Sequence, residues 1–286
     1  MLITGAARGI GAALAERLAG HGARLALIGL EPDKLAAVAA RCGEGTFVTE
    51  CDVSSSDQVT RAVDEAAEAL GGLDVVVANA GIATGAPLRL GEVRAWERVI
   101  EINLLGTMYT DRAALPHLER SRGYVLNIAS TAAVMRGAGM SAYCSAKAGV
   151  EALSDCLRLE MRPLGVDVGV AYFLFLDTDM VNDAEREMPN FARTKSELPK
   201  VFARTYPLPP AIDQVVSGIE QRARRIAYPP WFLKVLAVRQ LFASAFLERS
   251  SEKQIAEGMR EYEKLVAERG AQAASTTQRT RELAGL

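Results

Sequence analysis

Through residue 173, short apolar runs alternate with amphipathic stretches. Runs rich in Val, Leu and Ile at 25–28, 46–51, 75–78, 125–129 and 166–173 lack polar alternation, which predicts strands buried on both faces. Stretches at 12–19, 34–41, 57–70, 94–115 and 142–162 place apolar residues at helical spacing. Such alternation predicts right-handed βαβ units: an α/β fold, a doubly wound parallel sheet with helices on both faces. The first strand, 1–3, is short, either clipped or preceded by residues upstream of Met1.

Past 173 the pattern changes. Residues 177–210 carry Pro189, Pro199, Pro207, Pro209 and Pro210 without a clear period, which predicts an irregular substrate lid. A helix at 213–224 and a last strand at 225–228 complete a domain spanning 1–228. The remainder, 229–286, reads as a helical C-terminal extension: apolar at 231–247, charged at 252–270, polar and fraying at 271–286. Pro229-Pro230 suits a helix start. A helix over 231–247 would rise about 26 Å, the short limit for a bilayer, and Lys234 and Arg239 count against spanning. Burial on its own subunit, burial on a neighbour and a membrane interface are the three placements open to it. The expectation is a soluble homo-oligomer in which 231–247 is mostly buried.

Composition narrows the function classes. The chain has 286 residues, long for one domain but within reach of an α/β domain with appendages. A net charge of −2 gives no basic field for nucleic acid. Cys42, Cys51, Cys144 and Cys156 form no C-x-x-C pair and the histidines are only His21 and His117, so neither a metal site nor a disulfide framework is expected. A reducing cytoplasm is the expected compartment, with no secretory signal and no transmembrane run.

Candidate chemistry sits where strands end. Gly5, Gly9 and Gly11 lie between the first strand and first helix, with Arg8 and Ile10 among them, where backbone N–H groups at a helix N-terminus can cradle a pyrophosphate. Asp52-Val53 follows the third strand and could meet an adenine amino group, or simply make a turn. Asn79-Ala80-Gly81 follows the fourth, leaving room for a ribose or flat ring, while Asn79 could also tie loops together. Tyr143 and Lys147 are one helical turn apart, and a neighbouring ammonium favours a phenolate. Lowering a tyrosine pKa by about three units corresponds to roughly 4 kcal/mol. Ser130 ends the fifth strand, where its hydroxyl could hold a carbonyl oxygen, and Asn103 is an amide on an apolar helix face that must find partners.

In this order and spacing, with Ser130 thirteen residues before Tyr143, the motifs resemble those of the short-chain dehydrogenase/reductase family over residues 1–228. They are T-G-x-x-x-G-x-G at 4–11, D-V at 52–53, N-A-G at 79–81, Asn103, Ser130 and Y-x-x-x-K at 143–147. The resemblance implies a Rossmann fold and a tetrad of Asn103, Ser130, Tyr143 and Lys147, with Asn103 linked through water to Lys147 and Lys147 also binding the nicotinamide ribose. It further implies a homodimer or homotetramer built on the helices that hold Asn103 and Tyr143. Phe173-Leu174 stands where the family usually carries Pro-Gly, whereas Thr178-Asp179-Met180 is retained, with Thr178 expected near the nicotinamide or phosphates.

The expected activity is hydride transfer between NAD(P)(H) and a secondary alcohol or ketone. Val134, Met135, Met140, Phe173, Leu174, Met188 and Phe191 suggest an apolar small-molecule substrate, steroid-, terpenoid-, polyketide- or fatty-ketone-like. The second strand ends in Gly29, not the acid that selects NAD; Leu30 stands where a phosphate-binding Arg is often found, and Glu31 is close. Because Arg8 could reach a 2′-phosphate, NADP(H) is slightly favoured over NAD(H). The competing classes are a non-catalytic dinucleotide sensor or scaffold and a membrane-surface lipid reductase.

Overall fold

A computed structural model describes residues 1–239 and 245–286. The chain runs β1 (Leu2–Thr4), α1 (Gly9–Gly20), β2 (Ala26–Gly29), α2 (Pro32–Cys42), β3 (Phe47–Glu50), α3 (Ser56–Leu70), β4 (Val75–Ala78) and α4 (Val93–Ile100). It continues with α5 (Gly106–Ser121), β5 (Tyr124–Ile128), α6 (Ser141–Met161), β6 (Asp167–Phe173), α7 (Asp179–Glu187), α8 (Pro189–Glu197), α9 (Lys200–Ala203), α10 (Leu208–Glu220) and β7 (Arg225–Tyr228). The extension holds α11 (Phe232–Ala237), α12 (Ala245–Arg269), α13 (Ala271–Ser275) and α14 (Gln278–Ala284).

All neighbouring strands pair in parallel, in the order β3-β2-β1-β4-β5-β6-β7. The order reverses between β1 and β4, and the crevice at the carboxyl ends of these strands is where such sheets take ligands. One apolar layer, with Leu2, Val63, Val76 and Val125, packs under α3 and α5; another, with Ile3, Leu14, Leu126 and Val215, packs under α1 and α10.

Three expectations change. The lid is helical, not irregular, because its prolines start helices: Pro189 opens α8, and Pro209 and Pro210 sit in the first turn of α10. The stretch 94–115 is not one α-helix, since a π-turn at Glu101–Leu105 separates α4 from α5. The polar end does not fray: α14 docks with Ala284 in the core, and the Ala284 carbonyl oxygen accepts a hydrogen bond from Arg98 at 2.8 Å. Of the apolar segment 231–247, Phe232 and Leu236 are buried against Tyr172, whereas Leu233 and Val238 are exposed. Residues 240–244 lie outside the described residues. No helix among the described residues is long and apolar enough to cross a membrane.

Candidate active site

Tight glycine packing builds the nucleotide end of the crevice. Gly5 has φ +64°, and a Cβ there would lie 2.7 Å from the Ala80 Cα; one on Gly11 would lie 2.4 Å from the Gly5 carbonyl oxygen. Arg8 precedes α1 without a side-chain cap, which leaves the first-turn N–H groups for an anionic ligand. Asn79 is the tie between loops: its Nδ2 donates to the carbonyl oxygens of Thr4 at 2.9 Å and Gly5 at 3.2 Å. Thr4 Oγ1 accepts from the Asn79 and Ala80 N–H groups in return. Ala80 and Gly81 are thereby held at the crevice wall.

Asp52 makes a turn, accepting from the Ser54 N–H at 2.9 Å and hydroxyl at 2.7 Å. Burial alone would raise its carboxyl, but Ser54 and then Arg98 hold it below the ordinary range. Val53 is buried against Gly106. Leu30 lines the crevice, and Thr178 faces Gly9, where a Cβ would lie 3.8 Å from the Thr178 Cγ2. Arg8 is already engaged, bidentate to Glu31 and bonded to Asp179 at 3.3 Å.

The other end holds the candidate tetrad. Ser130 follows β5 in extended backbone, and its Oγ accepts from the Ala132 N–H at 3.1 Å. Tyr143, on the first turn of α6, lies beside the Ser130 side chain. Burial pushes the phenol up to about 12, against the downward pull of Ser130. One turn on, Lys147 Nζ lies 5.8 Å from the Tyr143 ring centre and donates to the Ile128 carbonyl oxygen at 2.8 Å. Burial alone lowers this ammonium to about 8. Asn103 is fully buried on the π-turn, exchanging two 2.8 Å hydrogen bonds with the backbone of Ile82. A Cβ on Gly81 would lie 3.1 Å from the Asn103 Oδ1 and 3.6 Å from Lys147 Nζ, which brings loop, amide and lysine to one point. Asn103 itself stands behind that wall.

Ser130, Tyr143 and Lys147 open on a chamber continuous with the crevice, about 730 Å³ in all. Met135, Met140, Phe173, Leu174, Met188 and Phe191 line it, whereas Val134 turns into the core with Val150 and Tyr172. At the departure from Pro-Gly, Leu174 uses its N–H to prolong the ladder to the Tyr228 carbonyl oxygen at 3.1 Å. Sequence reasoning missed the contribution of the extension: Ile255, Met259 and Tyr262 of α12 and Leu283 of α14 also line the chamber. No local pattern marks these residues, because only the folded path of α12–α14 carries them there. Among the described residues no cluster could hold a metal ion.

The sequence profile described as short chain dehydrogenase matches residues 1–189. The chain belongs to this family. An uncharacterized oxidoreductase of Staphylococcus saprophyticus is 34% identical over 189 residues, covering 64% of this chain and 81% of that protein. Cis-4-hydroxycyclohexanecarboxylate dehydrogenase of Sinomonas cyclohexanicum is 37% identical over 184 residues, covering 63% of this chain and 74% of that one. Among solved structures, levodione reductase superposes with a TM-score of 0.71 at 28% identity, covering 79% of this chain and 94% of its own. A Burkholderia phymatum short-chain dehydrogenase/reductase in complex with NAD gives a TM-score of 0.74 at 24% identity, over 84% and 92% of the two chains, which is likeness of fold. The profile ends within the lid, so this short-chain dehydrogenase carries the rest of its chamber wall outside the region that defines the family.

Proposed function

We propose that this short-chain dehydrogenase interconverts a lipophilic ketone and its secondary alcohol with a nicotinamide dinucleotide. The observation that carries the proposal is the meeting of Ser130, Tyr143 and Lys147 at the mouth of an apolar chamber joined to the glycine-lined crevice. The crevice fits the dinucleotide, with uncapped N–H groups at α1 for the pyrophosphate and Ala80-Gly81 beside the ribose position. Bound there, the nicotinamide ring would give or take the hydride.

The chain's own groups handle the proton and the oxygen. Ser130 holds the carbonyl oxygen. In reduction Tyr143 passes its hydroxyl proton to that oxygen as the carbon receives the hydride; in oxidation the tyrosinate takes it back. Lys147, anchored on Ile128, steadies the phenolate, and Asn103 holds the 82 loop, whose Gly81 stands beside Lys147. A sensor without turnover is not favoured, because it would have no use for a buried lysine against a tyrosine that stands beside a serine.

The Arg8–Glu31 pair bears on the cofactor. The slight preference for NADP(H) rested on a free Arg8; a 2′-phosphate would instead meet Glu31 and Asp179 and a cation already neutralised. We therefore place NAD(H) ahead.

Tyr143→Phe tests the mechanism. It should keep fold and dinucleotide binding and lose about 100- to 10,000-fold in kcat on any active ketone. Wild-type turnover by the variant would sink the assignment.

A further inference from the structure

One charged side chain on the chamber wall is left without a partner. Arg136 lies on the stretch between Ser130 and Tyr143 and lines the chamber beside Met135 and Met140. It is exposed, and among the described residues its guanidinium makes no hydrogen bond or ion pair. The other cations along the crevice and chamber are all engaged: Arg8 by Glu31, Lys147 by the Ile128 carbonyl oxygen, Arg193 by Glu261, Lys195 by Glu185 and Arg279 by Asp183. The acids there are each held by an arginine.

The backbone that presents Arg136 is tied down on both sides. The Met135 N–H donates to the Thr131 carbonyl oxygen at 2.8 Å, and the Met140 N–H donates to the Gly137 carbonyl oxygen at 3.2 Å. The charge also reaches the active-site side of the loop. Cys144 follows Tyr143 on α6 and lines the chamber; burial raises its thiol, against the pull of the Gly137 backbone and then of the Arg136 charge. Exposure lets the guanidinium stay solvated while it is empty, and a ligand anion brought to it gains a charge-assisted contact.

We infer that Arg136 is a specificity-determining residue that binds a carboxylate on the substrate. The preferred substrate is then an oxo acid, a lipophilic body with its carbonyl at Ser130 and Tyr143 and its carboxylate at Arg136. A carboxylate suits the site better than a phosphate because one unpaired cation balances one negative charge, and a planar guanidinium meets a planar carboxylate through two parallel N–H···O bonds. It suits the site better than a neutral head because the paired charges of the wall cancel and leave Arg136 unbalanced. The inference rests on the ketone–alcohol reading and extends it to the substrate's charged end.

The test compares three oxo acids with their methyl esters, which keep the shape and remove the charge: 5-oxohexanoate, 10-oxoundecanoate and 6-oxodecalin-2-carboxylate. It uses the full chain with NADH and, in parallel, NADPH. In the best-fitting pair the acid should have a KM about 5- to 20-fold below that of its ester, a gain between that of an exposed ion pair and a desolvated one. The preference should shrink in high salt, because the contact is at an exposed side chain. Arg136→Gln should bring the KM ratio near one with kcat within about twofold, the sign of lost uniform binding, and Arg136→Glu should turn the preference toward the ester. Both variants should melt as wild type does, because an exposed, unpaired side chain has been changed. A preference that survives in Arg136→Gln, an equal loss on acid and ester, or no acid preference in wild type overturns the inference. If wild type turns over none of these compounds, the proposed reaction fails instead. Calorimetric binding of the acids to the NADH-loaded protein then decides the role of Arg136: binding that weakens about fivefold or more in Arg136→Gln supports it, and equal binding or none rejects it.

Discussion

Burial drives Tyr143 up to about 12 and Lys147 down to about 8, both away from the charged pair that the proposed proton transfer would use. Lys147 therefore carries a stability cost with a defined pH window. Its ordinary value is 10.5, so between about 8 and 10.5 the unfolded chain keeps a proton that the folded one has released. Stability rises with pH through that window, and the full cost is felt below it. Lys147→Met should be more stable than wild type at pH 7, by up to about 3 kcal/mol, while losing activity. Urea unfolding should show the gap narrowing as pH rises from 7 to 10; a constant gap would mean the ammonium is not the source. At the other end of the crevice, Glu31→Gln frees Arg8 from its bidentate partner. Titrations should show NADP(H) gaining about tenfold or more relative to NAD(H), since a charge-assisted phosphate contact is worth more than a neutral one. The positions of the candidate tetrad were legible from residue type and spacing because a helical turn and a strand end are local geometry. The occupation of Arg8 was not, because its partners lie 23 and 171 residues away.

At the scale of elements, α5 illustrates what periodicity misses. An apolar-periodic stretch at 94–115 reads as one helix, yet the π-turn at Glu101–Leu105 interrupts it where Asn103 reaches the Ile82 backbone. A single-turn change of this kind depends on a tertiary hydrogen bond and leaves little trace in the pattern. Further along, Asp111 is buried beside Asn127, whose Nδ2 donates to it at 2.8 Å, and the second Asp111 oxygen has no partner. Burial raises this carboxyl from 3.8 to about 7, against the pull of Asn127. Between those values the folded chain holds a proton the unfolded chain has lost, so stability falls as pH rises through the window. Asp111→Asn should match wild type near pH 4 and exceed it at pH 8 by up to about 4 kcal/mol, as measured by denaturant unfolding. Equal stabilities at both pH values would show that the carboxyl ionises freely.

Across the whole molecule, the extension is part of the enzyme body. Ser275 accepts from the Gly85 N–H at 2.9 Å, Ala284 anchors Arg98, and Arg279 joins α14 to α7 through Asp179 and Asp183. Deleting residues 271–286 should lower the melting temperature by several degrees, as expected for the loss of about 1–2 kcal/mol or more. It should raise KM for ketones more than Kd for the dinucleotide, because α14 borders the chamber while the glycine loop keeps its own contacts. Unchanged KM with a lowered melting temperature would make the segment a structural strap alone. Light scattering should find a homodimer or homotetramer for the full chain; a monomer would remove the expected packing through the outer faces of α5 and α6.

The sequence by itself determined the strand–helix alternation, the glycine turn and the order of Asn103, Ser130, Tyr143 and Lys147. Each follows from periodicity, backbone freedom or spacing within a few residues of itself. Tertiary structure decided that Val134 faces the core while Met135 faces the chamber, that prolines in the lid begin helices, and that a polar C-terminus is docked. It also decided that α12 and α14 complete a chamber begun by the loop after β4 and the carboxyl ends of β5 and β6. These outcomes depend on contacts between residues far apart in the chain, and side-chain pairing at that range is set by how the layers stack, not by the local pattern.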